Sequence, residues 1–281
     1  VRQSTVSFSK GSFSASDGAD NDQVTKELYG RAWSVFDKSA FVSAAGLLRE
    51  RFEMNALSLD FVKGMDCLDF GCGSGRYCFA LLELGAKSVH GVDFSSENIT
   101  LARERINDLT DKQGVLLEVG DITRIFDDIE NRYDFIIAQG IIQCMDGPVM
   151  GLETLYRVLR PGCQLYLFMY GNTGQGLYWK LIDRMRELLQ PVAIERAHVF
   201  LETLGVHQNH IYSILDLGYA PIQHRFKRNE LEGLLSNIGF EIVETMKRGK
   251  IYETNERVFR YPQEELFWGN EELRYLLYKR D

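Results

Sequence analysis

The chain has 281 residues, 45% of them hydrophobic and 26% charged, which is usual for a globular protein with a buried core. Its net charge of −8 argues against binding nucleic acid over a wide surface, because such binding needs clustered Lys and Arg. No apolar run approaches the roughly 20 residues of a membrane span, so we expect no membrane anchor and no secretory signal. The five cysteines are odd in number and lack Cys-x-x-Cys spacing, so we expect reduced thiols in a cytoplasmic protein.

The first 60 residues contain two contrasting segments. Residues 1–22 are rich in Ser, Gly and Asp and poor in aliphatic side chains, which predicts a flexible tail. Residues 23–60 carry apolar side chains at three- and four-residue spacing, which predicts a helical cap ahead of the main domain.

Residues 61–170 alternate short apolar runs with amphipathic stretches. This rhythm predicts an α/β fold with a doubly wound, mostly parallel, seven-stranded sheet and helices on both faces. The fifth predicted strand is preceded by a turn at Arg160-Pro-Gly162. Strands are predicted at 65–70, 88–92, 115–119, 133–138 and 164–170, and helices at 77–84, 96–109 and 148–159.

The alternation stops after residue 170. Residues 171–225 show helical patterns at 177–189 and 193–204 without a strong strand between them. We interpret this segment as a helical insertion that covers the carboxyl edge of the sheet as a substrate lid. Residues 226–281 are expected to return to the core, with a helix at 229–238 and strands at 239–245 and 256–261. A final helix, predicted at 264–278, would pack on the lid or form a homodimer contact.

A glycine-rich segment follows the first predicted strand, where a parallel sheet binds its ligands. Gly71, Gly73 and Gly75 allow a tight turn and let a ligand approach the backbone. The helix that follows offers unpaired amides to an anionic group. A dinucleotide site of the type Gly-x-Gly-x-x-Gly would need glycine where Arg76 stands. Asp69 suits the amino group of a methionine moiety and would repel a pyrophosphate, so the segment favours a nucleoside cofactor.

The segment Leu68-Asp-Phe-Gly-Cys-Gly-Ser-Gly75 resembles the first motif of class I S-adenosylmethionine-dependent methyltransferases. Later segments resemble further motifs of this family, and they occur in the family's order. Residues 133–140 resemble its fourth-strand motif, and residues 159–162 resemble the turn before its fifth strand. The resemblance implies a Rossmann-like fold, S-adenosyl-L-methionine as cofactor and S-adenosyl-L-homocysteine as product. It also implies that Asp93 binds the ribose hydroxyls, that Asp121 lies near the adenine amine and that Ile122 forms a wall of the adenine pocket.

Four aromatic or polar residues complete the predicted cofactor site. Phe94 follows Asp93, and Gln139 ends the fourth-strand motif. Gln139 stands where amino-group and base methylases have an acidic or Asn-type residue, which argues against their chemistry. Tyr29 and Trp33 lie on a predicted helix ahead of the sheet. In several families that resemble this chain, an aromatic side chain from that helix closes over the methionine end of the cofactor.

The predicted lid carries our candidates for acceptor chemistry. His210 and His224 are the candidate bases, because histidine accepts a proton near neutral pH. His207 and His210 are three residues apart and no carboxylate completes a zinc set, so no metal site is predicted. The residues expected to bind the substrate are Tyr170, Tyr178, Tyr212, Asp216, Tyr219 and Arg225.

These features favour a methyltransferase that modifies oxygen or nitrogen of a small molecule by in-line methyl transfer. Three alternatives stay open: an RNA-modifying methyltransferase, an NAD-dependent oxidoreductase and a non-catalytic protein that binds S-adenosylmethionine. The glycine spacing disfavours the oxidoreductase, and the acidic balance disfavours RNA, for which residues 224–228 form the only dense basic segment. The identity of the acceptor lies beyond these patterns.

Overall fold

The structure is a computed structural model that describes residues 38–111, 113–122, 124–171, 177–206, 208–246 and 272–280. The predicted tail, the candidate residues Tyr29 and Trp33, and the strand predicted at 256–261 lie outside these residues. Among the described residues, no helix is both long and apolar enough to cross a membrane.

The described residues build one seven-stranded sheet in the order β3-β2-β1-β4-β5-β7-β6. Strands β1 to β5 run parallel, and β7 is antiparallel to both of its neighbours. The predicted fold class is therefore confirmed. The strands are β1 (Asp66–Phe70), β2 (Ser88–Asp93), β3 (Val115–Val119), β4 (Tyr133–Gln139), β5 (Leu159–Tyr170), β6 (Phe240–Thr245) and β7 (Glu272–Lys279).

Helices cover both faces of the sheet and enclose two apolar layers. One layer packs Phe52 and Leu81 against strand residues such as Phe135, and the other packs Leu152 and Leu231. The helices are α1 (Lys38–Met54), α2 (Arg76–Glu83), α3 (Ser96–Leu109), α4 (Pro148–Val158), α5 (Leu177–Leu189), α6 (Ile194–Thr203), α7 (Gln208–Tyr219) and α8 (Arg228–Ile238), with short 3-10 turns at Asp60–Val62 and Ile142–Cys144.

Local sequence explains where several helices begin and end. The Ser95 side chain caps α3 by accepting a hydrogen bond from the backbone amide of Asn98, as expected for serine at a helix start. Pro148 opens α4, where a missing backbone donor costs nothing. Gly239 ends α8 with φ 118°, a left-handed conformation that glycine adopts without strain.

Helices α5, α6 and α7 lie between β5 and α8, in the segment that we predicted to be an insertion. Ala197 of α6 and Ile211 and Leu215 of α7 form a small apolar cluster, against which Leu189 of α5 packs. The buried guanidinium of Arg186 donates to the backbone carbonyls of Leu217 and Ala220, at 2.8 Å each, and so ties α5 to the end of α7. The three helices therefore have internal cohesion of their own.

Two predicted elements were wrong. Residues 272–279 form strand β7 rather than part of a helix. Leu273, Leu276 and Leu277 mimic helical spacing because β7 lies inside the sheet, where both faces are buried and alternation disappears. This strand is therefore unavailable for the predicted dimer contact. The second wrong element is the turn predicted at Arg160-Pro-Gly162, because strand β5 begins at Leu159 and includes these residues. The pairing of β5 with β4 shifts register between Tyr133 and Phe135, and this irregularity accommodates them.

Candidate active site

A cavity of about 680 Å³ opens at the carboxyl ends of β1 to β4. This is the edge at which parallel sheets bind ligands. The residues that line it are Gly71, Cys72, Gly73, Ser74, Arg76 and Tyr77 after β1; Asp93, Phe94 and Asn98 after β2; Val119, Gly120, Asp121, Ile122 and Arg124 after β3; Gln139, Gly140, Ile141, Cys144, Met145, Asp146, Gly147 and Met150 after β4; and Ile222 after α7.

The glycine loop between β1 and α2 requires glycine for two reasons. Gly71 and Gly75 have φ of 79° and 82°, in the left-handed region that disfavours other residues. A Cβ added at Gly71 would lie 2.7 Å from Cγ1 of Ile141, and one added at Gly75 would lie 2.8 Å from Cβ of Ala102. The loop is therefore held close to both the chain after β4 and helix α3.

Asp93 ends β2 and lies against the glycine loop, with 5% of its surface exposed. Its carboxylate accepts hydrogen bonds from the backbone amides of Gly73 (2.9 Å) and Ser95 (3.0 Å) and from Nδ2 of Asn98 (3.2 Å). Burial raises the pKa of Asp93, while these three donors favour the charged form and oppose the rise. The carboxylate is therefore fixed in one orientation at the cavity wall.

The predicted residues at the adenine end come together. Phe94, Asp121 and Ile122 line the cavity beside Asp93. The backbone amide of Gly120 donates to the Asp93 carbonyl at 2.9 Å, which sets the start of the loop after β3 next to the end of β2. Ile122 is buried and Asp121 is exposed, so this end offers an apolar surface beside a carboxylate.

Asp69 takes a different position from the other predicted carboxylates. It is 2% exposed and does not contribute to the cavity lining. Its Oδ2 accepts a hydrogen bond from the Cys78 thiol at 3.3 Å, behind the loop. Burial raises its pKa to about 7, against the opposing effects of Cys78 and Arg76. Its contact with a methionine amino group stays a prediction.

Several cavity residues were not found by sequence reasoning. Asn98 lies in the first turn of α3, and no sequence motif pointed to it. The signal that could have found it is its position three residues after the Ser95 cap, which places it at the start of the helix near Asp93. Tyr77, Cys144 and Met145 also line the cavity, and the sequence analysis did not assign them to the site. Gln139, which was predicted, lines the cavity, and its Oε1 accepts a hydrogen bond from the Tyr166 hydroxyl at 2.9 Å.

None of the predicted acceptor residues whose side chains are described lines the cavity. Within the described part of residues 177–225, Ile222 is the residue that lines the cavity. The side chains of Tyr178, Tyr212 and His210 lie outside the described residues. His224 is half-buried, and its backbone amide donates to the Gln143 carbonyl at 2.7 Å.

The other predicted substrate residues have identifiable structural partners. Arg225 pairs with the Asp183 carboxylate at 2.6 and 3.1 Å, and its guanidinium carbon lies 3.9 Å from the centre of the Trp179 ring system. The Tyr219 hydroxyl donates to the Val192 carbonyl at 2.8 Å. Tyr170 packs edge to face on Trp179, and Asp216 is half-buried on α7. Their contact with a substrate stays a prediction.

The cavity fits an adenosine-based sulfonium cofactor. Its glycine loop forms one wall, the buried carboxylate of Asp93 stands at a strand end, and Ile122 gives an apolar surface. The Ser74 hydroxyl lines the cavity, is buried, and has no hydrogen-bond partner in the described residues, so a ligand could satisfy it. No group of three His, Cys, Asp or Glu side chains in the described segments is arranged to hold a metal ion.

Comparison with known proteins identifies the family. A family model described as "Methyltransferase domain" matches residues 61–218. The ubiquinone biosynthesis O-methyltransferase of Nitrobacter winogradskyi is 30% identical over 112 residues, which are 40% of this chain and 41% of that protein. The phosphoethanolamine N-methyltransferase 2 of Caenorhabditis elegans is 28% identical over 40% of this chain and 25% of that protein. The chain thus spans less than half the length of these relatives.

A solved structure extends the likeness over most of the chain. The 1,6-didemethyltoxoflavin-N1-methyltransferase of Burkholderia thailandensis, solved with S-adenosylhomocysteine, has a TM-score of 0.52 and 17% identity, and covers 96% of this chain and 94% of its own. At this identity the likeness concerns the fold. The family model, however, covers more than half of the chain, so the chain belongs to the methyltransferase domain family.

Proposed function

We propose that the enzyme methylates an oxygen or nitrogen atom of a small molecule. The observation that carries this proposal is the composition of the cavity beyond the cofactor residues. Ile141, Met145, Met150 and Ile222 give it an apolar wall, and Asp146 is the carboxylate beside them. A compact, mostly apolar recess with few polar groups is typical of small-molecule sites. The named substrates of the two curated relatives and of the Burkholderia enzyme are small molecules, which supports the same class.

In this proposal, residues of the chain bind the cofactor, orient it towards the acceptor and exclude water from both. Asp93 binds the ribose hydroxyls, Ile122 flanks the adenine, and Ser74 binds a polar group at the amino-acid end. The cofactor, when bound, supplies the electrophilic methyl group, so the protein contributes alignment for an in-line displacement. Helices α5 to α7 act as a lid that keeps water from the acceptor.

The ion pairs made by residues 224–228, the only dense basic segment of the sequence, argue against an RNA acceptor. Arg225 pairs with Asp183, Lys227 with Glu230 at 3.2 Å, and Arg228 with Glu232 at 3.6 Å. Cations neutralised in this way offer little attraction to phosphates. The five cysteines, all in the described segments, are thiols rather than disulfides, which supports the proposed cytoplasmic location.

Labelled methyl transfer tests the proposal. The enzyme and S-adenosyl-L-[methyl-³H]methionine are incubated with a small-molecule extract and, separately, with total RNA. We expect label in a small-molecule fraction. Label confined to RNA would replace the proposal with the RNA alternative. Tight S-adenosylhomocysteine binding without transfer to either pool would favour the non-catalytic alternative.

A further inference from the structure

Tyr77 is a cavity residue with an unusual electrostatic environment. It lies on α2 directly after the glycine loop, lines the cavity and is 3% exposed. Its hydroxyl accepts a hydrogen bond from Nη1 of the buried Arg51 on α1, at 2.5 Å. The guanidinium carbon of Arg76 lies 4.7 Å from the centre of its ring. Positive charge therefore faces this phenol from two helices.

The sheet contributes further polar groups beside Tyr77. Tyr166 of β5 donates its hydroxyl proton to Gln139, which lines the same cavity at the end of β4. Arg274 of β7 is buried and bonds to Tyr166, with its guanidinium carbon 4.6 Å from the centre of the Phe168 ring. Arg51 and Arg274 do not line the cavity. Tyr77 thus lines the cavity while its hydroxyl is hydrogen-bonded to an arginine that does not.

These charges act on the ionisation of Tyr77. Burial by itself raises the pKa of a phenol, because it disfavours the phenolate. At Tyr77 the positive charges of Arg51, Arg76 and Arg274 outweigh burial, and the pKa lies below its ordinary value of about 10. Two other buried tyrosines show the opposite: the pKa of Tyr166 is raised, and that of Tyr133 is raised to about 12.

We propose that Tyr77 is the general base of methyl transfer and that the acceptor is a weakly acidic hydroxyl, of the phenol or enol class. The acceptor oxygen bonds to the methyl carbon, the carbon–sulfur electron pair stays on sulfur, and the hydroxyl proton moves to the Tyr77 phenolate. A phenolic or enolic hydroxyl suits this step, since proton transfer is efficient between groups of similar pKa. The inference rests on the proposed small-molecule activity and names a base other than His210 and His224.

The first test is a spectroscopic titration that needs no acceptor. Tyrosinate absorbance near 295 nm is followed against pH in the wild type, in Tyr77→Phe and in the control Tyr133→Phe, which removes a buried tyrosine whose pKa is raised to about 12. We expect one tyrosine to ionise below the others in the wild type and in the control, and this early ionisation to be lost in Tyr77→Phe. If the variant keeps it, the proposal is wrong.

The second test separates catalysis from structure. Methyl transfer to catechol and to the labelled small-molecule fraction is measured between pH 6 and 10 for the same proteins, with S-adenosylhomocysteine affinity measured by calorimetry. We expect Tyr77→Phe to keep that affinity and to lose transfer roughly 100-fold, together with the rise of rate with pH. Unchanged transfer by Tyr77→Phe would overturn the role of Tyr77. Absence of transfer by the wild type would instead overturn the proposed function, and the titration would still decide whether Tyr77 ionises early.

Discussion

At the scale of single residues, Asp93 combines two duties. Its carboxylate joins the glycine loop to the start of α3 through Gly73, Ser95 and Asn98, and it faces the cavity where the ribose is proposed to bind. We expect Asp93→Ala to weaken S-adenosylhomocysteine binding roughly tenfold or more, because hydrogen bonds to a charged acceptor are lost. Isothermal calorimetry measures this directly.

The control for Asp93 is Glu104→Ala, which removes an exposed carboxylate from the outer face of α3. Its affinity for S-adenosylhomocysteine should match the wild type. Equal affinities for all three proteins would remove Asp93 from the ribose site. Asp93→Ala also removes the hydrogen bond that holds the glycine loop at Gly73. A thermal melt of each variant should therefore accompany the calorimetry.

Some site residues could be predicted and others could not, for a physical reason. Asp93, Asp121 and Gln139 each stand at the end of a strand, so strand prediction alone brings them to one edge of the sheet. Arg51 and Tyr77 meet only because α1 packs on α2, and no local pattern encodes a hydrogen bond between residues 26 positions apart. Contacts made by tertiary packing are therefore the part that sequence patterns missed.

At the scale of elements, the junction between the glycine loop and α3 has little room. We expect Gly75→Ala to destabilise the protein and to reduce cofactor binding, because the added Cβ would lie 2.8 Å from Ala102 at a φ of 82°. Gly233→Ala on α8 is the matched control, since nothing lies within 4 Å of its added Cβ. That change should stabilise the protein by about 0.5–1 kcal/mol, from helix propensity alone.

Chemical denaturation of the two glycine variants measures both effects on one scale. The loss for Gly75→Ala should exceed the gain for Gly233→Ala, and only Gly75→Ala should change S-adenosylhomocysteine affinity. A Gly75→Ala protein with wild-type stability and affinity would mean that α3 moves aside at little cost.

Helix α5 is fastened to the chain ahead of α8 by Arg225. The guanidinium joins Asp183 and stacks on Trp179, so its removal should loosen α5. We expect Arg225→Ala to speed hydrogen exchange in residues 177–189 and to leave S-adenosylhomocysteine affinity unchanged. Lys227→Ala, which breaks an exposed ion pair on α8, should change neither.

The same experiment distinguishes the two roles of Arg225. A structural role predicts faster exchange in α5. A direct substrate contact, as the sequence pattern indicated, predicts a higher KM for the acceptor with unchanged exchange in α5. The second result would return Arg225 to the substrate site.

At the scale of the whole molecule, Asp69 links stability to pH. Its pKa is about 7 in the folded protein and near 4 in an unfolded chain. The folded state therefore holds a proton that the unfolded state loses, and this contribution to stability is present below about pH 4 and disappears as pH rises through about 7. We expect Asp69→Asn, whose amide stays uncharged, to lose less stability than the wild type between pH 4 and 8.

Urea denaturation at several pH values checks this expectation. Asp60→Asn, at an exposed carboxylate in the short turn before β1, should follow the wild-type curve. Parallel curves for the wild type and Asp69→Asn would show that the Asp69 carboxyl does not hold the proton.

The parallel arrangement of β1 to β5 follows from the rhythm of strands and helices up to residue 170, and the structure confirmed it. The position of β7 does not follow from that rhythm, because a strand buried on both faces has no alternation to distinguish it from a helix. The hydrophobic pattern of the sequence therefore predicted a helix where the structure has strand β7.

The insertion of β7 between β5 and β6 has a consequence for how the chain reaches its native state. Tyr170 of β5 pairs with Glu272, about a hundred residues further along the chain, so β5 keeps an open hydrogen-bonding edge until that partner arrives. Pairing over such a distance is slow, and an unpaired apolar strand can recruit another chain in the meantime. Competition between folding and aggregation should therefore be decided at β5, and dilution or a chaperone that shields this edge should favour the native enzyme.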